Sequence, residues 1–364
     1  MKIAILGTRG IPNHYGGFEQ LAEYLSVGLV EKGHEVYVYN SHNHPYQKDT
    51  WNGVHLLHQN DPEHRYGTAG QFLYDLNCIR DSRKRKFDLI LQLGYTSSSI
   101  WYFLFPKGTK IATNMDGLEW LRSKYRPSVQ LFLQMAEWLA VRTSHGLISD
   151  SIGIKDYLKR KYFVDSTYIA YGADLANPQD PSLLEEWNLK PGEYDLLIAR
   201  MEPENNVETI LKGRRMADIH RPLIVIGGHE KTTHGKQWYA EYASESIRFL
   251  GAIYDLNKLD HLRHFSNLYF HGHSVGGTNP SLLEAMASNA LICAHQNPFN
   301  ASVLGTDAYY FSDEDEVSEV LNTVVKGEAE APRIEANRTK ITEKFNWPGI
   351  VDQYEAMMHQ LVHS

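Results

Sequence analysis

Cysteine is scarce in this 364-residue sequence, and long apolar runs are missing from it. The two cysteines, Cys78 and Cys293, lie far apart and form neither a metal-binding nor a redox spacing, which favours a reducing compartment. No stretch approaches the roughly 18–20 apolar residues that a membrane-spanning helix needs. The N-terminus, MKIAILGTRG, is typical of a strand and not of a secretory signal. We therefore expect a cytoplasmic protein, either soluble or peripheral on the cytoplasmic face of a membrane.

A dinucleotide-binding fingerprint is also missing. GTRGIP (residues 7–12) lacks the third close glycine of G-x-G-x-x-G, and Asn40 stands where an acid would end the second strand. A nicotinamide-dependent dehydrogenase is therefore disfavoured. The D-x-D string Asp313-Glu314-Asp315 lies in an acidic run that we interpret as solvated, so no metal site and no cofactor are predicted.

Charge is unevenly divided along the chain. Residues 1–175 contain 20 Lys and Arg and 17 Asp and Glu, whereas residues 176–364 contain 16 and 27. The basic clusters at 80–86, 122–126 and 159–161 would suit anionic lipid head groups, or else they are solvated helix ends and loops. No recognition motif accompanies them, so nucleic acid is not an expected partner.

The chain is too long for one ordinary hydrophobic core, and its pattern changes once. Strand-like runs alternate with amphipathic helical stretches in both halves, which predicts two doubly wound α/β domains with parallel sheets. A turn-rich, proline-rich passage separates the two arrays. The predicted division is a domain at 1–174, a linker at 175–192, a domain at 193–345 and a C-terminal helix at 346–364.

The stretch HGHSVGGTNPSLLEAM (residues 271–286) ends a strand with a glycine-rich loop and then starts a helix. A glycine pair allows close backbone approach to a ligand, and the first N–H groups of a helix favour an anion such as a diphosphate. Pro280 near the first helical position, with Asn279 or Thr278 as N-cap, fits a helix start. Glu284 would then direct a carboxylate at vicinal ribose hydroxyls. The alternative is an ordinary loop-to-helix turn.

Taken in order, these motifs resemble glycosyltransferase family 4, whose members are retaining enzymes, over nearly the whole chain. The closest resemblance is to the bacterial rhamnosyltransferase subgroup that begins with a GTRGIP and YGGFE pattern. It implies the GT-B architecture, in which two Rossmann-like domains face each other across a cleft and a C-terminal helix packs back on the N-terminal domain. It also implies transfer of a sugar from a nucleotide-sugar.

Four segments carry the resemblance. YGGFE (15–19) matches the family's N-terminal glycine pair, and FLGAIYD (249–255) matches its nucleobase loop. IARMEPENN (198–206) matches the strand followed by an Arg and a Lys that clamp the diphosphate; Arg200 matches the Arg, while Asn205 replaces the Lys. GGTNPSLLEAM (276–286) matches the end of the Glu-x7-Glu motif; Glu284 is its second acid, but Gly276 replaces the first.

The resemblance implies an acceptor site in the N-terminal domain. There Asp116 would orient or deprotonate an acceptor hydroxyl and Trp120 would stack on a sugar ring, unless Asp116 is an N-cap and Trp120 a core residue. His14 and His273 are ligand candidates or structural residues. The predicted acceptor-binding residues are His14, Tyr15, Glu119, Trp120 and Arg122. The predicted donor-binding residues are Gly16, Gly17, Asn205, Tyr254, His273, Gly276, Gly277, Thr278 and Asn279. The predicted catalytic residues are Asp116, Arg200 and Glu284.

The sequence therefore predicts a metal-independent retaining hexosyltransferase. It would move L-rhamnose from dTDP-L-rhamnose to a lipid-linked or saccharide acceptor in bacterial cell-surface polysaccharide synthesis. Alternatives are a transferase that uses UDP-glucose or UDP-N-acetylglucosamine, a GT-B epimerase or phosphorylase, and a non-catalytic nucleotide-sugar binding protein. The replacements at positions 205 and 276 keep the last alternative open.

Overall fold

The computed structural model of the protein describes residues 1–14, 16–115, 117–121 and 125–364. The chain divides into two compact units. One consists of residues 1–171 together with 347–364, and the other of residues 172–346. Among the described residues, no helix is both long and apolar enough to cross a bilayer.

The first unit contains one eight-stranded sheet in the order β3-β4-β2-β1-β5-β6-β7-β8, in which all pairs but β3–β4 are parallel. Its central strands are buried on both faces, as expected when helices cover a parallel sheet. The strands are β1 (Lys2–Leu6), β2 (Glu35–Ser41), β3 (Thr50–Trp51), β4 (Val54–Gln59), β5 (Leu89–Leu93), β6 (Lys110–Asn114), β7 (Gly146–Ser149) and β8 (Thr167–Tyr168). The helices are α1 (Gly17–Glu31), α2 (Glu63–Tyr66), α3 (Ala69–Ser82), α4 (Pro127–Thr143) and α5 (Ile152–Tyr162).

The second unit contains a six-stranded parallel sheet in the order β11-β10-β9-β12-β13-β14. Its strands are β9 (Asp195–Ile198), β10 (Leu223–Ile226), β11 (Ile247–Gly251), β12 (Tyr269–His271), β13 (Ile292–His295) and β14 (Tyr309–Phe311). Its helices are α6 (Val207–Met216), α7 (Thr233–Tyr242), α8 (Leu256–Phe265), α9 (Pro280–Ala287), α10 (Pro298–Leu304), α11 (Glu314–Thr323) and α12 (Ala331–Lys344). The predicted class, α/β with two doubly wound sheets, is therefore confirmed.

Each sheet has one point at which the strand order reverses. In the first unit this point lies between β1 and β5, and in the second it lies between β9 and β12. Loops that leave the carboxyl ends of two such strands diverge to opposite faces of the sheet and leave a crevice, where open α/β sheets bind ligands. In the second unit, the loops after β9 and β12 therefore border such a crevice.

Residues 175–192, the predicted linker, lie within the second unit. Leu184 is buried, the Arg248 guanidinium donates to the Trp187 carbonyl at 2.5 Å, and Lys258 pairs with Glu186 at 2.5 Å. Within this passage, Pro181–Trp187 forms a short 3-10 helix packed near α8.

The C-terminal helix α13 (Trp347–His363) belongs to the first unit, where it packs against α1. The rings of Trp347 and Tyr24 stack at 4.3 Å, and the Asn114 amide donates to the buried Tyr354 hydroxyl at 3.1 Å. At Gly28, an added Cβ would lie 2.7 Å from a methyl group of Val351. The two helices approach this closely because Gly28 has no side chain.

We expect Gly28→Ala to lower the free energy of unfolding by about 1–3 kcal/mol, because the stiff Val351 side chain leaves no room for a methyl group. In a Val351→Ala background the same change should be neutral or slightly stabilising, since alanine is the better helix former by up to about 1 kcal/mol. Urea unfolding of the four proteins of this double-mutant cycle measures the difference. Equal effects of Gly28→Ala in both backgrounds would contradict the close contact.

Candidate functional site

The loop after β9 (the β9 loop, residues 199–206) is held by its own polar groups. The Arg200 carbonyl accepts a hydrogen bond from the Asn205 amide at 2.8 Å and another from the Glu202 N–H at 2.8 Å. Asn205 is buried, whereas the Arg200 side chain is exposed. The structure therefore places Asn205 beneath the loop and presents Arg200 on its surface, at the carboxyl end of a central strand.

The turn after β12 (the β12 turn, residues 272–279) is joined to the β9 loop. The Asn206 amide donates to the Gly272 carbonyl at 2.8 Å, and both the N–H and the hydroxyl of Ser274 donate to the Glu204 carbonyl, at 3.0 and 2.8 Å. A Cβ on Gly272 would lie 2.0 Å from the Asn205 carbonyl oxygen. Only glycine fits there, so the two segments form one connected surface at the point where the strand order reverses.

Helix α9 starts as the sequence predicts, with Asn279 as N-cap and Pro280 in the first turn. The Asn279 side chain accepts from the Ser281 N–H at 3.0 Å, and the Asn279 carbonyl accepts from the Leu282 and Leu283 N–H groups. Thr278 is buried. The first helical N–H groups are therefore already bonded, and donors for an anion come from the turn that precedes them.

Gly276 and Gly277 are the open part of this turn. Among the described residues, neither N–H group donates a hydrogen bond. Gly276 has φ +130, a conformation that residues with side chains rarely adopt, and nothing lies within 4 Å of where its Cβ would be. This geometry leaves backbone donors exposed beside Arg200's loop, which is the arrangement that a phosphate needs.

Glu284, one turn into α9, is held by a residue that the sequence analysis missed. Arg263 of α8 is buried and donates from one guanidinium nitrogen to the Glu284 carboxylate at 2.5 Å and from another to Asp260 at 3.1 Å. The Arg263 ion pair fixes one oxygen of the Glu284 carboxylate. A signal was present in the sequence, because Arg263 lies on the same helical face as Leu259 and Leu262, where a solvated arginine is unexpected.

Two histidines lie where β12 ends: His271 is the last residue of the strand, and His273 lies in the β12 turn. The rings of His271 and His273 stack at 4.4 Å, and neither ring nitrogen of the fully buried His271 has a hydrogen-bond partner among the described residues. Burial lowers the pKa of His271 well below its usual value, and the neighbouring His273 and Arg263 lower it further. His271 is therefore neutral at pH 7. The His273 carbonyl accepts from the Asn297 and Asn300 amides at 3.1 and 3.0 Å.

Tyr254, in the predicted nucleobase loop, lies beyond the edge strand β11. Its ring is exposed, and its hydroxyl accepts from the Lys231 ammonium at 3.2 Å. Lys231 follows β10, so the pair occupies the same end of the sheet as the β9 loop but on the outer strands.

The acidic string 313–315 follows β14, the edge strand on the other side of the sheet. Asp313 caps α11 by accepting from the Glu316 N–H at 2.9 Å, and the following acids form the first turn, where a helix dipole favours negative charge.

In the first unit, Gly16 and Gly17 lie where α1 begins, and His14 lies in the loop after β1. The His14 ring contacts the His44 ring edge-on at 4.4 Å. A polar cavity of about 240 Å³ adjoins them, lined by Arg9, His14, Ser41, Asn43, His44, Asp61, Glu63 and His64. Arg9 pairs with Glu63 at 2.8 Å, and its N–H donates to the buried Glu19 carboxylate at 2.8 Å. Tyr15 lies outside the described residues.

Glu119 and Trp120 lie in a short 3-10 turn, while Asp116 and Arg122 lie outside the described residues. The Trp120 indole donates to the buried Glu137 carboxylate at 3.2 Å. That carboxylate also accepts from Tyr157 at 2.7 Å, Tyr162 at 2.5 Å and Lys161 at 3.0 Å. Trp120 is therefore held by α4 and α5, whereas His14 is held by loops after β1 and β2. Glu137 was also missed by the sequence analysis, although it lies on the same face of α4 as Leu133, Ala140 and Val141.

Residues 1–174 match the model of a family described as "Domain of unknown function (DUF1972)". No curated protein matches the chain in sequence.

Solved structures resemble the whole chain. Sucrose-phosphate synthase from Thermosynechococcus elongatus is 17% identical, with a TM-score of 0.80, and the match covers 100% of this chain and 99% of that one. HepE from Anabaena, solved with UDP and glucose, is 13% identical, with a TM-score of 0.73 and coverage of 99% and 100%. α,α-Trehalose 6-phosphate synthase from Burkholderia multivorans is 14% identical, with a TM-score of 0.69 and coverage of 100% and 97%. These similarities confirm the predicted GT-B fold class.

We expect Arg263→Met to lower the free energy of unfolding by about 3 kcal/mol, because it removes the buried cation that pairs two carboxylates. The matched control is Arg333→Met, which removes an arginine that also pairs with a glutamate, Glu330, but is partly exposed. That change should cost less than about 1 kcal/mol. Urea unfolding of both variants measures the difference, and similar losses would contradict a special role for Arg263.

Buried His271 should make the protein less stable in mild acid. The unfolded ring binds a proton below about pH 6.5, whereas the folded ring resists protonation, so stability falls by up to about 1.4 kcal/mol per pH unit below 6.5. His271→Leu should reduce the slope of unfolding free energy against pH by that amount between pH 7 and 5. His220→Leu, which replaces an exposed histidine, should not change it. Identical slopes for both variants would show that His271 titrates normally when folded.

Proposed function

We propose that this protein is a retaining hexosyltransferase that takes its sugar from a nucleoside diphosphate donor. The observation that carries the proposal is the connected surface formed by the β9 loop and the β12 turn. It joins an exposed guanidinium, Arg200, to the free N–H groups of Gly276 and Gly277 at the point of strand-order reversal. A doubly charged pyrophosphate leaving group requires this combination.

The second unit would bind the donor. Arg200 and the two glycine N–H groups would hold the diphosphate, with Asn205, His273, Thr278 and Asn279 shaping the loops around it. Glu284 would accept hydrogen bonds from the ribose hydroxyls with the carboxylate that Arg263 orients. Tyr254 would cover the nucleobase, with Lys231 fixing its ring.

Transfer breaks the anomeric C–O bond and leaves negative charge on the diphosphate while the sugar becomes oxocarbenium-like. Arg200 and the amides would stabilise that charge as it develops, so the proposal requires no metal and no cofactor. Retention would follow from attack on the face from which the leaving phosphate departs. Asp116 would orient or deprotonate the acceptor hydroxyl, and His14, Tyr15, Glu119, Trp120 and Arg122 would belong to the acceptor side. Gly16 and Gly17 would contact the donor.

We propose L-rhamnose from dTDP-L-rhamnose as the transferred sugar and a lipid-linked saccharide as the acceptor. Both assignments rest on the GTRGIP and YGGFE pattern that the chain shares with the rhamnosyltransferase subgroup. The protein would act at the cytoplasmic face of the membrane, in the synthesis of surface polysaccharide. A non-catalytic nucleotide-sugar binding protein is the second candidate, supported by the replacements Asn205 and Gly276.

A donor panel tests the proposal. With dTDP-L-rhamnose, UDP-glucose and UDP-N-acetylglucosamine offered separately, we expect slow hydrolysis of dTDP-L-rhamnose in the absence of acceptor. Release of the nucleoside diphosphate measures this rate. If only a UDP-sugar is hydrolysed, the transferred sugar is that of the UDP-sugar and not rhamnose. Binding without turnover of any donor, with or without a lipid-linked acceptor, would support the non-catalytic candidate instead.

In the same assay Arg200→Ala should lower donor turnover by more than about tenfold, because its charge is needed most in the transition state. Arg215→Ala is the matched control, since Arg215 is an exposed arginine on α6 in the same unit. It should leave turnover unchanged. An unchanged rate for Arg200→Ala, with unfolding behaviour like that of the wild type, would remove Arg200 from the site.

A further inference from the structure

Helix α4 carries an exposed apolar stripe on the face opposite its core contacts. Leu131, Met135 and Trp138 (the α4 stripe) are 69%, 46% and 47% exposed. Their spacing of four and then three residues places them in one row along the helix. Leu133, Ala136 and Ala140 are buried on the other side, so the stripe takes no part in the core.

The stripe borders a depression of about 660 Å³ between α4 and the end of α5. Lys161 and Tyr162 line it together with the stripe residues. Phe163, the next residue, ends α5 in a left-handed conformation with φ 57, and its side chain is almost fully exposed. An apolar surface of this kind, with aromatic members and a polar border, is typical of an interaction site.

The charge around the stripe is mainly positive. Residues 126–163 contain six Lys and Arg but only three acids, and two of those acids, Glu137 and Asp150, are buried. Arg126, Arg142, Lys159 and Arg160 are exposed. An apolar row containing tryptophan and flanked by cations fits the boundary of an anionic bilayer, where indole rings lie at the head groups and Lys and Arg contact lipid phosphates.

A second copy of the chain fits this surface less well. A symmetric dimer places the same patch on both partners, so the cations of the two copies would face each other. An anionic lipid surface meets both the apolar and the cationic component. We propose that the α4 stripe and the end of α5 dock the first unit on a membrane of anionic lipids.

This inference rests on the proposed function and deepens it. A lipid-linked acceptor lies in a membrane, so a transferase that uses one would need to dock there. The docking itself is measured without donor or acceptor. Vesicles of phosphatidylcholine, with and without phosphatidylglycerol, are mixed with the whole protein and separated by flotation. We expect binding to the anionic vesicles that weakens as salt is added, and little binding to phosphatidylcholine alone.

The apolar part is tested with the triple change Leu131→Ser, Met135→Ser and Trp138→Ser, which should weaken binding by at least about tenfold. The matched control changes Leu175, Met216 and Tyr239 to serine, three second-unit residues with exposures of 44%, 52% and 45%. It should bind like the wild type. Thermal unfolding of both triple variants establishes that they are folded.

The cationic part is tested with Lys159→Glu and Arg160→Glu together, which should weaken binding by at least about tenfold. Lys190→Glu and Lys236→Glu, at exposed lysines of the second unit, are the control pair. A wild-type protein that ignores anionic vesicles would overturn the proposal, and so would a serine variant that binds as well as the wild type. A wild-type dimer that the serine changes dissociate, with no lipid binding, would assign the stripe to a second copy.

Failure of docking and failure of the proposed function give different results. The serine variant should hydrolyse the donor in solution at the wild-type rate, because none of the three stripe residues is a proposed donor-binding, acceptor-binding or catalytic residue. Vesicle binding with no turnover of any donor would reject the transferase and leave the docking surface standing. Donor turnover without vesicle binding would support the transferase and reject the docking surface.

Discussion

The close contact between Gly272 and the Asn205 carbonyl is the constraint on which the candidate site depends. The β9 loop and the β12 turn leave neighbouring strands, and they can share hydrogen bonds only because no side chain separates them at position 272. The shared bonds hold the Arg200 backbone at the same sheet edge as the Gly276 and Gly277 amides. Donors fixed in advance lose little entropy when they bind an anion and need little reorganisation as charge develops.

Below this surface lies a second layer that the ligand would not touch. Arg263 orients the Glu284 carboxylate from the core, and the neutral His271 ring fills the space at the end of β12. Both side chains are polar and buried. An unpaired charge is costly in such a place, so each side chain is held to one position and one charge state. Arg263 stays charged because it pairs with Glu284 and Asp260, whereas burial keeps His271 neutral.

The sequence predicted the alternation of strands and helices in both units and a helix start capped by Asn279 or Thr278, because these depend on local periodicity and on capping preference. It did not predict the partners of Glu284 or Trp120, since Arg263 and Glu137 lie on other elements, 21 and 17 residues away in the chain, and only tertiary packing brings them together. The short edge strands β3, β8 and β14 were also missed. Strands of two or three residues are too short to show a period, and tertiary pairing alone establishes them.

The structure gives a separate physical reason for Asn205 and for Gly276, the two residues that differ from the pattern of glycosyltransferase family 4. Asn205 is buried, and its side-chain amide donates a hydrogen bond to the Arg200 carbonyl. A lysine at that position would have to leave the loop interior to keep its ammonium in water. Gly276 has φ +130, which an acidic side chain would strain, so a carboxylate there would require a different turn.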